Sequence, residues 1–401
     1  MEGKEIYVTG AGIISAVGMG KEATLEAFAN GSSGIASVRY LRTGHTEFPV
    51  GEVKFSNAEM CDMLRFPPDK AFIRSSLLGI LAAREAIEQA QLDDTARRRL
   101  RIALISGITV GGMDQVEEMY DDFIGSDSRN GYIALIDCGA CTEQIADYFD
   151  GFRIASTIVT ACSSSANAIM LGADLIRSGR VDISVAGGCE CLSRYHVNGF
   201  NTLMILDREV CRPFDRTRAG INLGEGAGYL VLESAETMTA RGVQPVGRIA
   251  GYHNACDAYH QTASSPDGLG AYLAMKGAIA HAGLRPSDID YLNAHGTGTP
   301  NNDLTEGLAI MRLFGAEIPP VASIKALTGH TTSAAGSLEA VVSLLALERR
   351  FLPVNHNFRE QMEELDFSPV TSPIPPRPLR HILSNSFGFG GNNSAIVISQ
   401  T

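Results

Sequence analysis

The sequence predicts an α/β fold with largely buried sheets. Short β-branched apolar runs recur along the chain, and stretches of helical periodicity lie between them. A 45% apolar fraction beside 19% charged residues provides for a sizeable interior. Strand-like runs occupy residues 6–9, 102–106, 183–186, 228–232, 291–293, 322–324 and 395–398. Helical patterns run through 74–90, 165–177, 270–282 and 334–349. The stretches 163–175 and 333–347 are rich in small or apolar residues and poor in charge, so helices there can be enclosed on all sides between sheets. Each half of the chain carries a strand, a reactive residue and a small-residue helix, a faint two-fold echo. Arg241-Gly242-Val243-Gln244-Pro245 marks the boundary between halves.

A net charge of −12 over 401 residues argues against a protein that coats nucleic-acid phosphates. No apolar run reaches the ~18 residues of a membrane-spanning helix. Met1-Glu2-Gly3-Lys4-Glu5 leads into a strand-like run without signal-peptide anatomy, and the eight cysteines then read as reduced thiols. The expectation is a soluble cytoplasmic protein with neither nucleic-acid nor membrane partners.

Some local signals have plain readings. Val8-Thr9-Gly10-Ala11-Gly12-Ile13-Ile14-Ser15 looks like a dinucleotide-binding turn but has Ser15 in place of the third glycine; a tight strand-to-loop turn explains it equally well. Cys138-Gly139-Ala140-Cys141 has CxxC spacing, yet no matching second pair follows, and two buried small residues account for it. Seven of the nine histidines stand outside any motif; His295 and His330 do not.

Four segments combine a reactive residue with small, tightly turning neighbours. Thr160-Ala161-Cys162-Ser163-Ser164-Ser165-Ala166 follows the β-branched run 156–160 and opens a small-residue helix. There, free N–H groups and the helix dipole favour a thiolate and can stabilise an oxyanion. Asn293-Ala294-His295-Gly296-Thr297-Gly298-Thr299-Pro300 exits a strand and presents an imidazole and two hydroxyls. Ser323-Ile324-Lys325-Ala326-Leu327-Thr328-Gly329-His330 is read as another strand exit, with Glu339 on the next helix placed to pair with Lys325. Asn385-Ser386-Phe387-Gly388-Phe389-Gly390-Gly391-Asn392 is a glycine-rich loop whose N–H groups are open to an anion. One Cys, two His and one Lys suit acyl-thioester chemistry better than proteolysis, which needs one His oriented by Asn or Asp.

With these motifs in this order, the chain resembles the β-ketoacyl-acyl-carrier-protein synthases, the elongating ketosynthases of the thiolase superfamily. The resemblance runs from Val8-Thr9-Gly10 to the closing Gly-Phe loop and includes Arg212-Pro213-Phe214-Asp215 and Leu223-Gly224-Glu225-Gly226-Ala227-Gly228. It implies a thiolase-like five-layer αβαβα sandwich of two pseudo-equivalent halves, 1–246 carrying the nucleophile and 247–401 carrying the two histidines and the lysine. Cys162 would accept the acyl group. His295 and His330 would bind the malonyl thioester carbonyl and assist decarboxylation, and Lys325, held by Glu339, would orient the site. The N–H groups of Cys162 and Phe389 would form an oxyanion hole, with Phe389 also gating the acyl pocket. Thr297 and Thr299 would hydrogen-bond the phosphopantetheine arm, and Phe387 and Gly388 would contact substrate. A structural monovalent cation would sit at Asn293, Glu339, Ser384 and Asn385. No cofactor is implied, since substrates arrive on acyl carrier protein.

A homodimer is implied, and a heterodimer with a partner subunit is the alternative. Carrier proteins are acidic, so docking would use basic residues; Lys70, Arg74, Arg212 and Arg216 are the candidates by residue type. The chain departs from the family at 109–150 and at Ser163-Ser164-Ser165, which leaves fatty-acid and polyketide or polyene pathways both open.

Overall fold

The computed structural model describes residues 4–67, 71–126 and 131–401. Among them run the strands β1 (Ile6–Ser15), β2 (Gly18–Met19), β3 (Ile102–Gly107), β4 (Ile154–Ile158), β5 (Ile183–Glu190), β6 (Gly226–Ser234), β7 (Gly247–Cys256), β8 (Tyr291–Asn293), β9 (Val321–Ala322), β10 (His381–Gly388) and β11 (Asn392–Ser399). They join in one mixed sheet of order β4-β3-β5-β6-β1-β7-β11-β10-β8-β9, with β2 hairpinned to β1.

The order contains a repeat. In the first half β4, β3 and β5 are parallel, and β6 and β1 follow antiparallel. In the second half β9, β8 and β10 are parallel, and β11 and β7 follow antiparallel. The halves meet through a short antiparallel pairing, Ile6 with Ile249, Tyr7 with Arg248 and Val8 with Gly247. This repeat supports the division 1–246 and 247–401, which we propose as the two units of the chain.

Side-chain alternation along the strands sorts the core into layers, because successive residues face opposite sides of a sheet. On β3, Ala103 and Ile105 face the central cluster while Ile102 and Leu104 face an outer one; on β6, Leu230 and Leu232 face the centre, and Tyr229 and Val231 face outward. On β11, Ile396 and Ile398 face the same centre, and Ala395 and Val397 face a second outer cluster. The centre is filled by two buried helices, Ser164–Arg177 and Ala335–Arg349. Arg74–Gln89 and Cys138–Phe149 cover one outer face, and Leu269–His281 and Pro300–Phe314 the other. The five-layer αβαβα sandwich is therefore present, with the expected small-residue helices in its middle layer.

Some local expectations are corrected. Gly10 and Gly12 lie inside β1 and form no turn. A Cβ on Gly10 would meet the Ala86 carbonyl at 2.0 Å, and one on Gly12 the Ala82 carbonyl at 2.0 Å, so these glycines let the Arg74–Gln89 helix approach the strand. Cys138 and Cys141 sit on one helix, but the thiols that meet are Cys141 and Cys189, 3.6 Å apart. β4 lies two residues before the expected 156–160 run, and β7 and β10 have no counterpart among the expected strands. Among the described residues, no helix is long and apolar enough to cross a membrane.

Candidate active site

Beyond β4 the chain turns sharply at Ala161, whose φ of 52° lies where L side chains rarely settle, and delivers Cys162 to the start of the Ser164–Arg177 helix. Two serines hold this elbow. The Ser163 hydroxyl donates to the Thr160 carbonyl at 2.7 Å, and the Ser164 hydroxyl donates to the Ala161 carbonyl at 2.6 Å while accepting from Thr160 N–H at 2.9 Å. Ser165 accepts from Ser337 N–H at 2.9 Å and so joins the two central helices. Gly388 passes so close that a Cβ there would stand 3.1 Å from Cys162 N.

His330 places Nε2 3.1 Å from Cys162 Sγ. Its backbone is clamped on both sides: His330 N–H donates to Asn222 O at 2.7 Å, and Gly224 N–H donates to His330 O at 2.9 Å. The preceding segment is no simple strand exit, because a single helical turn, Lys325–Thr328, follows the two-residue β9. His295 faces His330 edge-on, with ring centroids 5.2 Å apart and planes at 85°. The buried Lys325 Nζ donates to the His295 carbonyl at 2.6 Å and pairs with Glu339, which also accepts from Ser386 Oγ at 3.3 Å. Lys325 therefore holds the backbone of the His295 loop and leaves the imidazole free.

Burial sets the protonation states. It pushes the Cys162 thiol up to about 12, with the Lys325 ammonium opposing. Both imidazoles are held well below the usual histidine range, first by burial and then by the nearby Lys325 charge. Burial also raises the Glu339 carboxyl to about 7, against the pull of Lys325. The resting site thus holds a thiol and two neutral imidazoles.

These groups open into a cavity of about 370 Å³, also lined by Thr297, Thr299, Phe387, Gly388 and Phe389. The Thr297 and Thr299 hydroxyls lie 2.9 Å apart, and Thr299 also caps the Pro300–Phe314 helix. Phe389 stacks on Phe200, with centroids 5.7 Å apart and planes at 24°.

Sequence reasoning missed Glu306 and Phe200. Glu306, wholly buried, accepts from His295 N–H at 2.9 Å, Gly296 N–H at 2.8 Å and Asn385 Nδ2 at 2.9 Å. Its available signal was the Asp303–Glu306 pair one turn into the helix after the His295 loop; Asp303 likewise binds Gly298 N–H, at 3.1 Å. Nothing local marks Phe200.

The expected cation ligands do not form one side-chain cage. Asn293 and Ser384 meet at 3.4 Å, and Glu339 reaches the neighbouring Ser386 from the central layer. Asn385 points to the opposite face, toward Glu306 and Met275, because it stands one residue further along β10. Arg74 and Arg212 are not docking residues: both are buried, Arg74 against Glu225 at 2.6 Å and Arg212 against Asp207 at 3.1 Å. Arg216 is half-exposed but paired with Glu360, and Lys70 lies outside the described residues.

A five-layer sandwich that brings a helix-start cysteine against two neutral histidines defines a thiolase-like condensing site. Residues 3–238 match the N-terminal domain of β-ketoacyl synthases and residues 246–359 the C-terminal domain, so the chain belongs to the β-ketoacyl synthase family of condensing acyltransferases. It is 32% identical over 412 aligned positions to 3-oxoacyl-[acyl-carrier-protein] synthase 2 of Staphylococcus aureus (strain COL), covering 100% of this chain and 99% of that one. Among solved structures, the ishigamide ketosynthase/chain length factor superposes with a TM-score of 0.93 at 31% identity, with full coverage of both chains. A chain of the complex between a ketosynthase and its chain length factor from Xenorhabdus doucetiae gives 0.86 at 31% identity, covering 99% of this chain and 98% of that one.

Proposed function

We propose that the protein condenses malonyl-carrier protein with an acyl chain held on Cys162, releasing CO2 and a 3-oxoacyl-carrier protein two carbons longer. The observation that carries this reading is the 3.1 Å contact between Cys162 Sγ and His330, with a second neutral imidazole facing it across the same cavity. As Cys162 attacks the incoming thioester, its proton leaves for His330, and the N–H groups of Cys162 and Phe389 receive the oxyanion. Collapse of that intermediate expels the carrier-protein thiolate, which takes up the proton. The malonyl thioester carbonyl then sits between His295 and His330. Donation from both lets CO2 leave without a strong base, since the electron pair enters an enolate they stabilise. Its carbon attacks the acyl-Cys162 carbonyl, and the Cys162 thiolate leaves and takes up one proton from solvent, restoring the resting thiol. Lys325, Glu339 and Glu306 position the His295 loop, while Thr297 and Thr299 receive the phosphopantetheine arm.

The partner is a second synthase-like chain. Among the described residues β4 ends the sheet and leaves an unpaired edge, with Val159 beside it 55% exposed, an arrangement natural proteins cover. A homodimer fills that edge with a second copy. The alternative, a heterodimer with a chain-length partner, draws support from the two relatives solved with one. Purified protein is incubated with acyl-carrier proteins of several lengths and its intact mass measured, beside Cys162→Ala. The reading requires a wild-type adduct absent from the variant and discharged as 3-oxoacyl product by malonyl-carrier protein. No adduct with any length, alone or with a chain-length partner, overturns it.

A further inference from the structure

We infer that Glu117 is a positioning residue for the cavity wall, acting through Phe200 on Phe389; the gate role of Phe389 is what the family resemblance implies and rests with it on the function proposed above. Glu117 lies on the Met113–Ser126 helix, inside the 109–150 stretch that the sequence reading sets apart from the family pattern. Its carboxylate reaches across to the start of the Arg194–Thr202 helix. Oε2 accepts from Arg194 N–H at 2.9 Å and Oε1 from Tyr195 N–H at 2.6 Å, while the Arg194 side chain returns to Glu117 Oε2 at 3.4 Å. Ser193 Oγ takes the next N–H, that of His196, at 3.1 Å. Two of the three amides opening this helix are therefore satisfied by a residue some 77 positions away in sequence.

The same helix carries the aromatic wall of the site. His196 is buried against Phe200, with centroids 6.3 Å apart, and Phe200 stacks on Phe389 in the cavity that holds Cys162. A cap supplied from another element fixes the pose of the helix as well as its helicity. Releasing Glu117 frees the Arg194–Thr202 helix to shift, and Phe200 with it, so Phe389 loses the ring it leans on. Cys162, only 6% exposed, then becomes more accessible.

The test is alkylation of Cys162 by iodoacetamide, followed on the Cys162 peptide by mass spectrometry because Cys256 is exposed, in Glu117→Ala, Glu117→Gln, Phe200→Ala and the Glu117→Ala/Phe200→Ala double variant. Glu117→Ala should react about fivefold faster, the ratio equivalent to ~1 kcal/mol of lost cap. Glu117→Gln, which keeps one neutral acceptor, should fall between. In the Phe200→Ala background the Glu117→Ala effect should vanish, because Glu117 acts through that ring. An unchanged rate in Glu117→Ala, or an increase that persists in full without Phe200, overturns the inference. Alkylation needs no acyl substrate, so it decides this point even if wild type accepts no acyl chain, an outcome that overturns the proposed function alone. Among acyl-carrier proteins the same variant should raise KM for long chains and leave malonyl decarboxylation within about twofold.

Discussion

Replacing Glu306 with Gln separates the two halves of the reaction. The carboxylate divides its work between its oxygens: Oε1 accepts from His295 N–H and Asn385 Nδ2, and Oε2 from Gly296 N–H. A glutamine of nearly the same volume turns one oxygen into an NH2 group that must face donors. Hydrogen bonds to a charged acceptor are worth ~1.5–3 kcal/mol each. With one lost and the rest weakened, the variant should lose ~3–5 kcal/mol, within reach of a total stability of ~5–15 kcal/mol. The local consequence is larger in function than in folding, because the disturbed amides carry the His295 loop. A misplaced donor to a developing oxyanion costs ~10²–10³ in rate. Acyl transfer to Cys162 relies on His330, 3.1 Å away and clamped by Asn222 and Gly224, none of which touches Glu306. Rapid-quench intact mass measures acylation, and CO2 release from malonyl-carrier protein measures decarboxylation. Decarboxylation should fall ~10²-fold or more, with acylation within about fivefold. Equal losses in both steps, in a variant still folded by circular dichroism, would refute the assignment of Glu306 to the His295 loop.

Three further outcomes follow from the same geometry. Gly388→Ala puts a methyl group 2.8 Å from the Thr160 carbonyl and 3.1 Å from Cys162 N, so single-turnover acylation should drop ~10²-fold while the protein stays folded. Because burial and Lys325 hold His295 and His330 well below the ordinary 6.5, their ring NMR signals should keep the neutral form as pH falls through 6.5, while any rate inflection near 7 belongs to Glu339; imidazole titration at 6.5 contradicts this. Lys325→Met strands the buried Glu339 and should cost ~3–5 kcal/mol in urea unfolding, whereas Lys325→Met with Glu339→Leu should recover part of that loss; strict additivity would show that the pair is not coupled.

What could be read from the sequence follows a physical division. Cys162, His295 and His330 stood out because each must be presented by a tight, small-residue turn, and such turns are local. The central helices stood out because enclosure on all sides demands small and apolar residues throughout. β7 and β10 escaped notice for a related reason. Asn254 on β7 and Ser384, Asn385 and Ser386 on β10 spend strand positions on polar contacts that brace the site, which breaks the apolar run by which a buried strand is recognised. Gly10 and Gly12 misled because close helix–strand approach and a phosphate turn ask for the same residue. Arg74 and Arg212 misled because the acids that bury them, Glu225 and Asp207, are joined to them only by the fold. Ser163, Ser164 and Ser165 show what a departure from a family pattern can mean. Their hydroxyls bind the Thr160 and Ala161 carbonyls and the Ser337 amide, so the unusual residues are the ones that hold the strained elbow at Ala161 and lock the nucleophile's helix to its counterpart in the other half. The same principle gives the Glu117 contact its weight. Glu117, in the 109–150 stretch that the sequence reading sets apart from the family pattern, accepts the Arg194 and Tyr195 amides of the helix that carries Phe200, a contact between segments some 77 residues apart that no local pattern announces.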